Sequence, residues 1–81
     1  MPTRAFILIE TAVGKTREVV RSLRGIDEVA AVDAVTGPYD VIATVQAEDL
    51  SAVGEVVTGR IHNVAGILRT VTCLNVSAPS P

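Results

Sequence analysis

The sequence predicts an α+β domain with the element order β-α-β-β-α-β. Three observations carry the prediction. β-branched residues are abundant, with 14 Val, 6 Ile and 8 Thr among 81, and such side chains suit a pleated sheet. The apolar periodicity passes from strand type to helical type and back, twice along the chain. The two halves also align as copies displaced by 38 residues: Thr11 falls on Asp49, while Val19, Leu23, Ile26 and Val29 fall on Val57, Ile61, Val64 and Ile67.

The first strand is centred on Ala5 to Ile9, five consecutive apolar residues. A half-exposed strand alternates, so this run predicts burial on both faces. From Gly14 to Arg24 the period becomes helical, with Thr16, Val19, Val20 and Leu23 on one face and Lys15, Arg17, Glu18, Arg21 and Ser22 toward solvent. Gly25 is the stop signal. Glu28 to Val35 reads as a second strand, and Thr36-Gly37-Pro38-Tyr39-Asp40 is a concentrated turn before a third, Val41 to Ala47. So short a connection makes those strands antiparallel neighbours. Asp49 suits the N-cap of a second helix running to about Asn63 with Leu50, Val53, Val56, Val57 and Ile61 along its apolar stripe, and Thr11 is the corresponding cap candidate in the first half. Gly66 follows, Ile67 to Val76 is the fourth strand, and residues 77–81 (SAPSP) form a disordered tail.

This order is that of a ferredoxin-like sandwich, a split pair of βαβ units whose right-handed crossovers put both helices on one face of the sheet. The other face is then bare, yet both alternating sets of the first strand, Phe6 with Leu8 and Ile7 with Ile9, are apolar. The sequence does not say which set lies under the helices. Either way a second sheet is needed as a cover, and two such sheets face to face make a dimeric α/β barrel. A mean hydropathy of +0.43, high for one small domain, points the same way.

The length holds one core, so 1–81 is a single domain. Seven basic against nine acidic residues give a formal charge of −2, and the six arginines and one lysine look scattered rather than striped. Neither phosphate backbones nor anionic lipid is an expected partner. Phe6 and Tyr39 are the whole aromatic stock, which leaves nothing for base stacking. One cysteine makes no internal disulfide and too small a zinc ligand set, and no apolar stretch has the length of a signal or membrane segment. The cytoplasm is the expected compartment.

Gly14-Lys15-Thr16 opens a helix after an apolar strand, as a phosphate-binding loop does, but the glycine required five residues earlier is Ile9. The segment reads as a plain turn and helix start. His62 lacks converging nucleophiles, carboxylates or ligands in the sequence, and a place near a helix C-terminus suits a cationic side chain. Cys73, in a strand between Thr72 and Leu74, reads as a small buried hydrophobe. No catalytic residue, metal ligand or cofactor is assigned. Polar groups interrupt the apolar strands mainly at Thr36 to Asp40 and at Arg69-Thr70-Val71-Thr72. Each has a plain structural use, a turn and a β pleat. Together they offer turn amides, an acceptor carboxylate and hydroxyls, the equipment for a small zwitterion.

The stretch VTGPYDVIATVQAEDLSAV resembles the Gly-x-Tyr-Asp turn, strand and acidic helix start of the ligand-binding RAM module of Lrp/AsnC regulators, and VAGILRTVTCLNV resembles their Thr-x-Thr strand. The resemblance runs from Ala5 to Val76. It implies a ferredoxin-like sandwich, dimers through facing sheets, further assembly to tetramers or octamers, and amino-acid effectors bound between dimers. Gly37, Tyr39, Asp40, Thr70 and Thr72 are the implied ligand-binding residues. The chain opens directly on its first strand, so it resembles stand-alone members without the helix-turn-helix. DNA binding is not carried over. The effector then acts on assembly or on a partner, such as a full-length regulator with which the chain co-assembles.

The expected function is therefore small-molecule binding coupled to oligomerisation. Two alternatives stand beside it: a small dimeric α/β-barrel enzyme using His62 in a cavity between helices and sheet, and a structural assembly subunit with no ligand.

Overall fold

A computed structural model describes residues 2–76. Its elements are β1 (Thr3–Thr11), α1 (Thr16–Arg24), β2 (Val29–Ala34), β3 (Val41–Ala47), α2 (Leu50–Gly59), a 3-10 turn (Ile61–Asn63) and β4 (Ile67–Leu74). The four strands form one sheet in the order β2-β3-β1-β4, every neighbouring pair antiparallel. This is the ferredoxin-like arrangement expected. The tail assigned to residues 77–81 lies outside the described residues.

The pleat decides the question the sequence left open. Along β1, Ala5, Ile7, Ile9 and Thr11 are buried and Arg4, Phe6, Leu8 and Glu10 alternate with them at greater exposure. In β3, Val41, Ala43 and Val45 share the buried side, because directly opposed residues such as Ile7 and Ala43 or Ile9 and Val41 project to the same face. Val19 and Leu23 of α1, with Val53, Val56 and Val57 of α2 and Ile61, close this face into the core. The second face carries Phe6, Leu8, Ile42, Thr44, Val71 and Cys73 at its centre, again by register, and no element among the described residues covers it.

Five elements are bounded differently from the sequence reading, and β2, at Val29–Ala34, is shorter by one residue at each end. β1 is two residues longer at each end, since Thr3, Arg4, Glu10 and Thr11 all pair across the sheet although they are polar. α1 begins at Thr16, and Thr11 does not cap it: Thr11 is still in β1, its hydroxyl lies 2.8 Å from that of Thr16, and the N-cap position belongs to Lys15 without a side-chain bond. Asp49 behaves as expected, its carboxylate accepting the Ala52 N–H at 2.8 Å. α2 stops at Gly59 rather than near Asn63, because the Asn63 side chain donates to the Gly59 carbonyl at 2.7 Å and the chain tightens into the 3-10 turn. β4 ends at Leu74, although the Asn75 N–H still reaches the Arg4 carbonyl at 2.9 Å.

Gly66 turns the chain into β4 with φ of +97°, and a Cβ there would stand 3.0 Å from that of Lys15 and 3.1 Å from a methyl of Val19. Only glycine lets this connection pass so close to α1. Its carbonyl accepts the Ala12 N–H at 2.8 Å, locking the β1–α1 turn to the entry of β4. No helix among the described residues is long and apolar enough to cross a membrane.

Candidate ligand-binding site

The turn between β2 and β3 is built on two constrained residues. Gly37 has φ of +157° with nothing within 4 Å of the side chain it lacks, and Pro38 fixes the next φ. Asp40 then ties the turn to β1. Its N–H donates to the Ile9 carbonyl at 2.9 Å, its carbonyl accepts the Val35 N–H at 2.9 Å, and Oδ2 accepts the Thr11 N–H at 2.9 Å. Asp40 is therefore a structural brace in this chain. Its Oδ1 has no partner among the described residues, nor do the N–H groups of Gly37 and Tyr39. Gly37 is exposed, and Tyr39 and Asp40 are half-buried.

Thr70 and Thr72 stand on the other side of β1. They lie opposite Ile9 and Ile7, so both hydroxyls project on the helix side of the sheet. The helices pack on β1, β2 and β3, which leaves Thr70 half-buried and Thr72 exposed. Since Ile9 pairs with Val41 on one side and Thr70 on the other, the turn and the threonines sit at the same end of the sheet, two strand spacings apart, or about 10 Å. Within one chain the five candidate residues are not brought together. They stand as two groups separated by β1.

The sequence reading placed His62 near a helix C-terminus and gave it a role only in the enzyme alternative, not beside the threonines. Its Nε2 lies 2.9 Å from the Thr70 hydroxyl. The pair forms because the 3-10 turn and the Gly66 reversal carry residue 62 back over β4, a path with no signature in the local sequence. His62 is exposed, so it does not occupy the helix–sheet cavity that the enzyme alternative required. That space is filled by Ile7, Ile9, Val19, Leu23, Val53 and Ile61, each at most 1% exposed. Clefts of about 530 Å³ and about 380 Å³ open elsewhere, and none of the five candidate residues lines either. Among the described residues no group of three or more His, Cys, Asp or Glu side chains is placed to hold a metal ion.

Residues 4–81 match the family model described as the Lrp/AsnC ligand binding domain. The chain belongs to that family. It is 32% identical over 70 residues to an uncharacterized HTH-type transcriptional regulator of Pyrococcus abyssi, an alignment that spans 86% of this chain and 44% of that protein. The chain thus matches less than half the length of this curated relative. The crystal structure of TTHA0845 from Thermus thermophilus superposes with a TM-score of 0.90 at 33% identity, covering 98% of this chain and 99% of that one. The Neisseria meningitidis transcriptional regulator NMB0573, solved as a complex with L-methionine, shares the fold at a TM-score of 0.85 and 21% identity, over 98% of this chain and 53% of its own. Lrp/AsnC membership and the ferredoxin-like fold thus agree with the resemblance carried by the two sequence motifs.

Proposed function

We propose that this Lrp/AsnC domain binds an α-amino acid at a site completed by two subunits, and that occupancy is read out as a change in assembly. The observation that carries the reading is the division of polar groups at one end of the sheet. On one side of β1 stand Asp40 Oδ1 and the N–H groups of Gly37 and Tyr39; on the other stand Thr70 and Thr72. A carboxylate suits the turn amides and an ammonium suits Asp40, each through a charge-assisted hydrogen bond. The spacing across β1 makes a turn from one subunit and a Thr-x-Thr strand from another the simplest way to close around a small zwitterion. The L-methionine bound by the neisserial regulator supplies a precedent for the ligand class.

The uncovered sheet face supports a dimer through facing sheets as the unit of assembly, with Phe6, Leu8, Ile42, Val71 and Cys73 at its centre. Such a dimer is the dimeric α/β barrel, and further association to tetramers or octamers, or with a full-length regulator in the cytoplasm, follows the same reading. A thermal-shift screen of the common amino acids, with mass measurement of the assembly beside each hit, tests it. A hit that raises the melting temperature and alters the mass distribution is the expected result. If no amino acid binds at millimolar concentration, the domain is a structural subunit and the family likeness concerns fold alone.

A further inference from the structure

The two polar groups of the candidate site differ in what they can recognise. At the turn, the N–H groups of Gly37 and Tyr39 and Asp40 Oδ1, all without partners among the described residues, suit the carboxylate and the ammonium that every α-amino acid carries. The strand β4 is then left to face the part that varies, the side chain. Beside the Thr70 and Thr72 hydroxyls stands one ionisable ring, His62, whose Nε2 lies 2.9 Å from the Thr70 hydroxyl.

His62 is exposed, and its Nδ1 has no partner among the described residues. The charged groups of the neighbouring elements are engaged elsewhere. Lys15 of α1 pairs with Glu18, and Arg60 reaches Glu28. Arg69 alternates with Thr70 along β4, so it projects to the opposite face and meets Glu10 there. Asp40 lies across β1 and holds the Thr11 N–H. No carboxylate among the described residues pairs with His62, so a positive ring here has no counter-ion of its own. Imidazole is the side chain whose charge changes between about pH 5 and 8. Once it is protonated, Nε2 donates, the Thr70 oxygen accepts, and the Thr70 O–H is released to donate to a third group. Both changes offer donors and a positive charge to the side chain of the ligand. We infer that His62 is a specificity-determining residue of the site and selects an α-amino acid with a side-chain carboxylate, taken up together with a proton. The inference rests on the two-subunit amino-acid site proposed above and adds the class of side chain to it.

Calorimetry on the full chain with L-aspartate, L-glutamate, L-glutamine and L-leucine, at about pH 6 and about pH 8, tests this. A side-chain carboxylate is ionised at both, since its ordinary pKa is about 4. The better acidic ligand should bind about tenfold more tightly at the lower pH than at the higher. At the lower pH it should also bind about tenfold more tightly than glutamine, the difference between a charge-assisted and a neutral hydrogen bond. Heats measured in buffers of different ionisation enthalpy should report proton uptake with the acidic ligand. His62→Gln keeps a polar group in reach of Thr70 but takes up no proton. It should bind glutamate and glutamine about equally, with no pH dependence and an unchanged melting temperature. Should that variant melt lower, the pH profile and proton uptake of the wild type decide by themselves. Leucine or glutamine binding as tightly as the acidic ligands at both pH values overturns the inference and leaves the amino-acid site standing. An acid preference that persists in His62→Gln does the same. If none of the common amino acids binds at millimolar concentration, the site itself is refuted and this inference falls with it.

Discussion

The two faces of the sheet are drawn from the same strands and similar side chains, yet they have different fates. On the helix side Ala5, Ile7, Ile9, Val41, Ala43 and Val45 are fully buried within the chain. On the other side Phe6, Leu8 and Ile42 are only half-buried, sheltered by their neighbours in the sheet, and Val71 is 38% exposed. Apolar composition alone therefore does not tell a closed core from a face that the chain itself leaves uncovered. The connection does: two right-handed crossovers cover one side and leave the other.

Five substitutions test or sharpen that contrast. The largest effect belongs to Ile7→Glu, which puts a carboxylate in the closed core without a partner and should cost about 4 kcal/mol or more, enough to abolish the cooperative melt of so small a domain. Leu8→Glu, one residue along, should keep the native circular dichroism and instead reduce the assembly to single chains, as native mass spectrometry would report. Equal unfolding by both variants would show that the second face is as much a part of the folding core as the first.

The helix side is itself unevenly covered, and the next variants probe its edge at the candidate site. Asp40→Asn keeps an acceptor for the Thr11 N–H but removes the charge, so it should weaken binding of the best amino-acid hit by about 1.5 to 3 kcal/mol with little change in melting temperature. Asp40→Ala should lose both stability and affinity. If calorimetry finds the asparagine variant unimpaired, Asp40 is only the brace between β3 and β1. Thr72→Val, at a position the helices leave open, should cost about 1 kcal/mol of binding and almost none of folding. A fall in melting temperature instead would mean that the hydroxyl supports β4 and not a ligand.

Much of the fold was legible because its signals are local. The apolar run in β1, the stripe of Val53, Val56 and Val57, the Asp49 cap and the turn residues before Val41 each state an element within a few positions. The missed boundaries have non-local causes. Thr11 looked like a cap because it aligns with Asp49, but its N–H is taken by Asp40, 29 residues away, which keeps it in the strand. α2 ended early because Asn63 folds back onto Gly59. At the candidate site the residue types were readable, whereas the hydrogen bond of His62 to Thr70 depends on a reversal at Gly66 that packs against α1.

By itself the sequence determined the element order, the α+β class and the two polar motifs, since periodicity, turn chemistry and capping act over distances of one or two turns of chain. Only the tertiary structure decided that Ile7 faces inward and Leu8 outward, that Asp40 braces β1 through one carboxylate oxygen, and that β1 separates the turn from the threonines. Those outcomes follow from strand register and from which side the crossovers close, and both are set by contacts between residues far apart in the chain.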